Sequence, residues 1–333
     1  MTSTALLQPR WRDLSADQTD MRLTLSLAGQ PLIDLQCTRD SGLHLSLQNP
    51  LLAPSAQALW AACYWLFATD DQCQQLTWHL KHPPREALLG GLLLATQTQG
   101  QFSCLRSLFW QLTTPWLGEV LSPVYPQQMT LSGGKRHPLR APKPTGEVYR
   151  RFDTRLGAWI CLRTLDIDAD LERFSRWQNA PRVMEFWEEG GSLERHRQFL
   201  KALDADPHTQ TLIGCFDDQP FAYFEAYWAK EDRIAPFYDV DDYDRGVHML
   251  VGEQAHRGPH KVASWLSALT HYLFLADPRT QRIVVEPRAD NAKMIGYLQS
   301  QGYHCEKEFD FPHKRAALMV QSRERFFERC TLV

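Results

Sequence analysis

The residues of this 333-residue chain best placed to do chemistry lie between Asp244 and Leu266, DRGVHMLVGEQAHRGPHKVASWL. Val247, Met249 and Val251 alternate with Gly246, His248 and Leu250, the period of a strand, and the pattern breaks at Gly252. After the turn Arg257-Gly258-Pro259, the residues Val262, Trp265, Leu266, Leu269, Tyr272 and Leu273 recur at helical spacing and give one apolar face. A strand, a basic glycine-bearing turn and a helix N-terminus together make a phosphate seat. The first-turn N–H groups lack intrahelical partners, and the helix dipole favours an anion there. The expected ligand is therefore phosphorylated. His248 lies on the face opposite Val247 and Met249, and if buried it must find a hydrogen-bond partner. A lone strand histidine is more often structural than catalytic, although a near-neutral imidazole is also able to take up a proton.

Further candidates flank this stretch. Thr211 to Phe216 and Pro220 to Trp228 read as a hairpin around Asp217-Asp218-Gln219, with Tyr223, Glu225 and Tyr227 on one face of its second strand. A carboxylate between two aromatic rings suits a cationic amine, and equally suits a solvated polar edge. A strand from Arg282 to Glu286 runs into Glu286-Pro287-Arg288-Ala289-Asp290-Asn291, where capping the next helix is the usual task of Asp290. Lys314 and Arg315, with Arg288, offer cations for a substrate carboxylate. Eight cysteines show no paired C-x-x-C spacing, so neither a metal site nor a disulfide framework is expected, and Cys37, Cys63, Cys73, Cys104, Cys161, Cys215, Cys305 and Cys330 read as reduced, mostly packed thiols. Cys215 has no histidine near it in sequence, which argues against a covalent acyl-cysteine.

The stretch Arg257-Gly258-Pro259-His260-Lys261-Val262 resembles the pyrophosphate loop Arg/Gln-x-x-Gly-x-Gly/Ala of the acyl-CoA-dependent GNAT acyltransferases, with His260 and Val262 where that loop has small residues. Asn291-Ala-Lys-Met294-Ile-Gly-Tyr297-Leu298-Gln-Ser-Gln-Gly302-Tyr303 resembles the second signature of the same family, an Asn opening a helix that closes at Gly-aromatic. The blocks DRGVHMLVGE, DPRTQRIVVEPRADN and KEFDFPHKRA resemble the branch that acylates N-hydroxylated amines in hydroxamate siderophore synthesis. The resemblance runs from about Gly146 to the C-terminus. It implies acetyl-CoA, or succinyl-CoA, as donor and a small-molecule N-hydroxylated lysine or diamine as acceptor. It also implies His248 and Asp290 as the catalytic pair. Leu250, Val251, Gly252, Arg257, Gly258, Pro259, His260, Lys261, Asn291 and Met294 would contact CoA, a backbone N–H near Val251 or Gly252 would hold the oxyanion, and Trp187, Tyr223, Glu225, Arg288, Lys314 and Arg315 would meet the acceptor. Many relatives protonate the CoA thiolate with a tyrosine at the position held here by Leu298. Tyr297 points about 100° away on a helix.

The elements that must position these groups follow from pattern. The expected class is α/β (α+β): a C-terminal GNAT fold over residues 147–333, with a mixed, mostly antiparallel sheet flanked by helices, and an N-terminal α/β accessory domain over residues 1–130. Residues 131–146, LSGGKRHPLRAPKPTG, read as a solvated linker, whose Lys135, Arg136 and Arg140 could instead fold back toward CoA phosphates. Ala158 to Leu165 is a predicted strand, Asp168 to Gln178 and Ser192 to Leu203 are predicted helices, and PRVMEFWEEGG between them is a predicted loop carrying Phe186 and Trp187. In the N-terminal half, MRLTLSL and LHLSL read as strands, and Ser55 to Phe67 and Glu86 to Gln97 as helices. That half reads as a structural or homodimerising domain, or as a degraded copy of the acyltransferase fold.

A net charge of −3 gives no basic footprint for nucleic acid. No apolar run is long enough to cross a membrane, so a cytoplasmic protein is expected. The function expected is acyl-CoA-dependent N-acylation of an N-hydroxylated lysine or diamine to a hydroxamate. The alternatives are acetylation of an ordinary amine and a non-catalytic acyl-CoA-binding module.

Overall fold

The structure, a computed structural model, describes residues 14–113, 116–117, 125–329 and 332, so the first thirteen residues of the expected N-terminal domain and Cys330 lie outside the described residues. It divides into two compact units, Met1–Trp116 with Phe327–Val333, and Leu117–Phe326.

In the first unit, strands β1 (Leu14–Gln18), β2 (Arg22–Leu27), β3 (Gln30–Arg39) and β4 (Leu43–Leu47) lead to helix α1 (Ala56–Thr69) and strand β5 (Gln75–His79). There follow α2 (Arg85–Leu89), β6 (Leu94–Ala95), β7 (Gln101–Leu105) and α3 (Arg106–Phe109). The predicted strands MRLTLSL and LHLSL form β2 and β4, and Ser55 caps α1 by accepting from the Ala58 N–H. The helix expected from Glu86 to Gln97 stops at Leu89. Gly90 and Gly91 follow, Gly91 at φ +75°, and a helix cannot continue through that left-handed residue; Leu94–Ala95 pairs instead as a strand.

The first strands of the second unit among the described residues are a small hairpin, β8 (Met129–Ser132) and β9 (Lys135–Pro138), which overlaps the segment 131–146 expected to be a linker. This segment is anchored. Lys135 Nζ donates to the carbonyls of Glu231 and Asp232, each at 2.7 Å. Arg140 forks onto both oxygens of Glu231 and stacks 4.1 Å over Trp228, and Lys143 Nζ donates to four carbonyls between Leu203 and Thr209. A solvated tether does not describe it: Arg140 is buried, and cations at this spacing find acceptors rather than water.

Strands β10 (Glu147–Asp153) and β11 (Ala158–Thr164) then lead to α4 (Ile167–Gln178), α5 (Pro181–Trp187) and α6 (Leu193–Ala205). Asp166 and Ser192 cap α4 and α6 through their side chains. The segment expected to be a loop is helix α5, with Pro181 in its first turn, where a missing N–H costs nothing, and Glu188 at φ 55° ending it. Strands β12 (Thr209–Phe216) and β13 (Gln219–Trp228) form the predicted hairpin; Asp217 and Asp218 both take positive φ at its tip. Strand β14 (Arg245–Val251), helix α7 (Pro259–Ala276), β15 (Arg282–Val285), α8 (Ala292–Ser300), β16 (His304–Asp310) and β17 (Arg315–Ser322) complete the unit. Leu171, Phe174, Trp177 and Leu200 from α4 and α6 pack on Ile213, Tyr223 and Leu250 of the sheet. The apolar stripe of α7 is buried as its spacing requires.

The eight-stranded sheet runs β10-β11-β12-β13-β14-β15-β17-β16, antiparallel except at β14–β15, where α7 makes the crossover. The first unit runs β1-β2-β3-β4-β5-β7-β6, antiparallel except at β4–β5, where α1 makes the crossover. The two sheets thus share one strand order over seven positions, but their parallel junctions differ. β4 and β5 pair at four positions, Leu43↔Leu76 to Ser46↔His79. β14 and β15 pair at two, Arg245↔Ile283 and Gly246↔Val284, and then part.

Candidate active site

Where β14 and β15 separate, a cleft of about 1410 Å³ opens, walled by α5, β14 and the start of α8. Beyond Gly246, β14 continues in register with β13 alone, so backbone groups on its other edge have no strand beside them among the described residues. Such an edge accepts an extended amide-bearing chain.

His248 stands at this fork. Cross-strand register sets it opposite Glu225, and its Nδ1 lies 2.8 Å from Glu225 Oε2. Its Nε2 lies 2.7 Å from Oε1 of Glu286, which follows β15 directly. The second oxygen of each carboxylate is also occupied: Tyr223 Oη donates to Glu225 Oε1 at 2.9 Å and Tyr227 Oη to Glu286 Oε2 at 2.8 Å. The Tyr227 ring lies 4.9 Å from the imidazole, in space left by Gly246, where a Cβ would come within 2.0 Å of it. The His248 side chain keeps 22% of its surface exposed, while Glu286 is 2% exposed as a residue.

Burial alone would lower the pKa of His248. The Glu286 charge and hydrogen bonds to both carboxylates outweigh it and lift the value to about 10. Burial would likewise raise Glu286, but the imidazolium holds it at about 2. In the resting cleft both ring nitrogens of His248 face carboxylates, which favours the imidazolium over the near-neutral imidazole of an unperturbed histidine.

The signs give a prediction. His248, raised from 6.5, contributes stability that is fully present below about pH 6.5 and lost as pH rises toward 10. Glu286, lowered from 4.5, contributes stability present above about pH 4.5 and lost as pH falls toward 2. Both shifts express one coupling, worth on the order of a few kcal/mol, and are not added. Thermal melts should show the loss above pH 6.5 in the native protein and a flatter alkaline limb in Glu286→Gln; parallel limbs would refute the coupling.

Asp290 also lines the cleft but is 65% exposed at its side chain and forks with Arg288, which holds its carboxyl below the usual range. It does not cap α8. That task falls to Asn291, whose Oδ1 accepts from the Met294 N–H at 3.1 Å. Of the residues expected to meet CoA, Leu250, Val251, Arg257, Gly258, Pro259, Asn291 and Met294 line the cleft, and Gly252, His260 and Lys261 do not. The Gly252 N–H is spent on the Phe221 carbonyl, so it is unavailable to an oxyanion, and Trp177 packs where a Cβ at residue 252 would stand. Lys261 Nζ turns back to the Ala255 carbonyl. Gly258, at φ +121°, makes the turn into α7, and no side chain caps its first N–H groups.

Of the residues expected to meet the acceptor, Trp187, Glu225, Arg288, Lys314 and Arg315 line the cleft. Tyr223 is fully buried behind Glu225. Three residues were missed as site residues by sequence reasoning. Glu286 was visible as a lone carboxylate ending an apolar strand, and Tyr227 by alternation with Glu225. Tyr297, about 100° around the helix from Leu298, lines the cleft one turn after Met294, whereas Leu298 is wholly buried.

Residues 166–311 match the acetyltransferase (GNAT) domain family. An N(6)-hydroxylysine O-acetyltransferase of Escherichia coli is 47% identical over 223 residues, 67% of this chain and 70% of that protein. The chain belongs to the GNAT acetyltransferase family. An N(5)-hydroxyornithine:cis-anhydromevalonyl coenzyme A-N(5)-transacylase of Beauveria bassiana is 48% identical over 200 residues, 59% of this chain and 44% of that protein. An uncharacterised protein of Bacillus halodurans has a crystal structure that superposes with a TM-score of 0.54 at 28% identity, over 56% of this chain and 95% of that one. GNAT membership makes the enzyme an acyltransferase that uses an acyl-CoA donor. Among the described residues no helix is long and apolar enough to cross a membrane.

Proposed function

We propose that this enzyme transfers an acyl group, acetyl ahead of succinyl, from CoA to the nitrogen of an N-hydroxylated lysine or diamine, forming a hydroxamate for siderophore assembly in the cytoplasm. The observation that carries the reading is the Glu225–His248–Glu286 array at the point where β14 and β15 part, in a chain similar to enzymes named for hydroxylysine and hydroxyornithine.

Diphosphate seats at the Gly258 turn and the α7 N-terminus, and the pantetheine amides pair with the open edge of β14. The thioester then reaches His248. An N-hydroxyamine is less basic than an alkylamine and arrives uncharged, so the nitrogen attacks without a strong base. A backbone N–H on the open edge of β14 holds the oxyanion, and His248, with both N–H groups spent on Glu225 and Glu286, fixes that edge in place. The nitrogen proton passes to the Asp290 carboxylate, which Arg288 keeps ionised. As the C–S bond breaks, the Tyr297 hydroxyl protonates the thiolate.

The test is CoA release with acetyl-CoA and succinyl-CoA against N6-hydroxylysine, N-hydroxycadaverine, N-hydroxyputrescine and their parent amines, with ferric-complex colour as the product assay. Turnover confined to hydroxylated acceptors, with a coloured N-acyl product, is expected. A colourless O-acyl product would move the bond to oxygen, and equal use of parent amines would remove the hydroxamate reading.

A further inference from the structure

The acceptor side of the cleft carries charges that the transfer chemistry does not use. After β13 the chain turns through Asp232 and Arg233, and both line the cleft with His313 and Lys314 from the turn between β16 and β17. Three basic side chains gather on one ring: Arg233 Cζ lies 5.6 Å from the Phe311 centroid, Lys314 Nζ 5.5 Å, and the His313 ring stacks at 5.4 Å. Lys314 Nζ also donates to the Glu286 carbonyl at 2.7 Å, which fixes this cluster beside the residue that binds His248.

Neither Arg233 nor Lys314 has a carboxylate within ion-pair distance among the described residues, although the Glu286 and Asp232 charges act on Lys314 from farther off. Among the described residues Arg233 makes no ion pair, and the partner of Lys314 is a neutral carbonyl. By contrast, Arg288 is taken by Asp290, and Arg315 by Glu308 and Asp310. Burial, then mutual repulsion, lowers the pKa of His313, and burial lowers that of Lys314. Asp232 is the converse. Its Oδ1 accepts only a backbone N–H, from Ile234 at 2.9 Å, and burial raises its pKa. One wall thus holds a carboxylate and two cations that make no direct ion pair among the described residues, with only longer-range attraction between them. The complement of that pattern is an ammonium and a carboxylate on neighbouring atoms.

We propose that Asp232 and the Arg233–Lys314 pair, with His313, bind the α-ammonium and α-carboxylate of the acceptor, so that the enzyme selects an N-hydroxyamino acid over the matching N-hydroxydiamine. This rests on the acyl-transfer reading above and adds the groups that choose the substrate.

Three acceptors of one chain length separate the contributions: N6-hydroxylysine, N-hydroxycadaverine, which lacks the carboxylate, and 6-(hydroxyamino)hexanoate, which lacks the ammonium. The native enzyme should prefer hydroxylysine over each by about tenfold or more in kcat/KM. Arg233→Ala should erase about tenfold of the preference over N-hydroxycadaverine, through KM, and Arg233→Lys should restore most of it. Asp232→Asn, which keeps an acceptor for the Ile234 N–H, should erase the preference over the hexanoate. Equal use of hydroxylysine and N-hydroxycadaverine by the native enzyme would overturn the proposal. So would an Arg233→Ala loss confined to the KM of succinyl-CoA, since the cations would then bind the acyl carboxylate. No turnover of any of the three, with CoA still bound, would overturn the acyl-transfer reading and this inference together.

Discussion

Replacing His248 with alanine should lower kcat/KM by about 10²- to 10³-fold, the range for losing an oxyanion-hole donor that the residue holds in place. It should also destabilise the second unit by about 3–5 kcal/mol, because Glu225 and Glu286 would face each other in a buried space with no cation between them. The pH dependence separates the two effects. Two repelling carboxylates have raised pKa values, so the variant is most stable below the ordinary carboxylate range and loses stability as pH rises through it, opposite to Glu286 in the native protein. Melts between pH 4 and 8 with parallel assays should show stability recovering in acid while activity does not. Recovery of both would make His248 a structural cation only.

The second large effect is at Gly246. A Cβ there would stand 2.0 Å from the Tyr227 ring, which cannot retreat without giving up its bond to Glu286 and its packing against His248. Gly246→Ala should cost about 3 kcal/mol or more, a fall of roughly 6–12 °C in Tm for a unit of this size. Gly246→Ala with Tyr227→Ala should regain part of the Tm but not the activity, since Glu286 then lacks one donor. A single variant with native Tm and native kcat would show that β14 relaxes around the added methyl.

What the sequence disclosed was local. His248 in an alternating strand, Arg257-Gly258-Pro259 before a periodic helix, and Asn291 at a helix start each announce themselves within a few residues, and the structure places them in one cleft. What it concealed depends on register between distant segments. Glu286 and His248 are 38 residues apart and meet only because Gly246 pairs with Val284. The charge state of His248 follows from that meeting, so no reading of the strand alone reaches it. Tyr297 stands one position before the expected tyrosine, and only the inward packing of Leu298 shows which of the two faces the cleft. In the N-terminal half, the strand order that matches the second sheet is invisible in composition. With β4 zipped to β5 at four positions and no glycine-bearing basic turn before α1, that half retains the order of the sheet without its opening.

The contacts of Lys135 bear on how this enzyme can change over evolutionary time. Its ammonium grips the main-chain oxygens of Glu231 and Asp232, and a main-chain oxygen is the same whatever side chain the residue carries. The grip of Lys135 on the turn that presents residues 232 and 233 is therefore independent of those side chains, and the side-chain hydrogen bond that they add among the described residues is the Asp232 carboxylate accepting the Ile234 N–H. Descendants can exchange Arg233, or replace Asp232 with another residue that accepts the Ile234 N–H, without re-engineering the scaffold beneath.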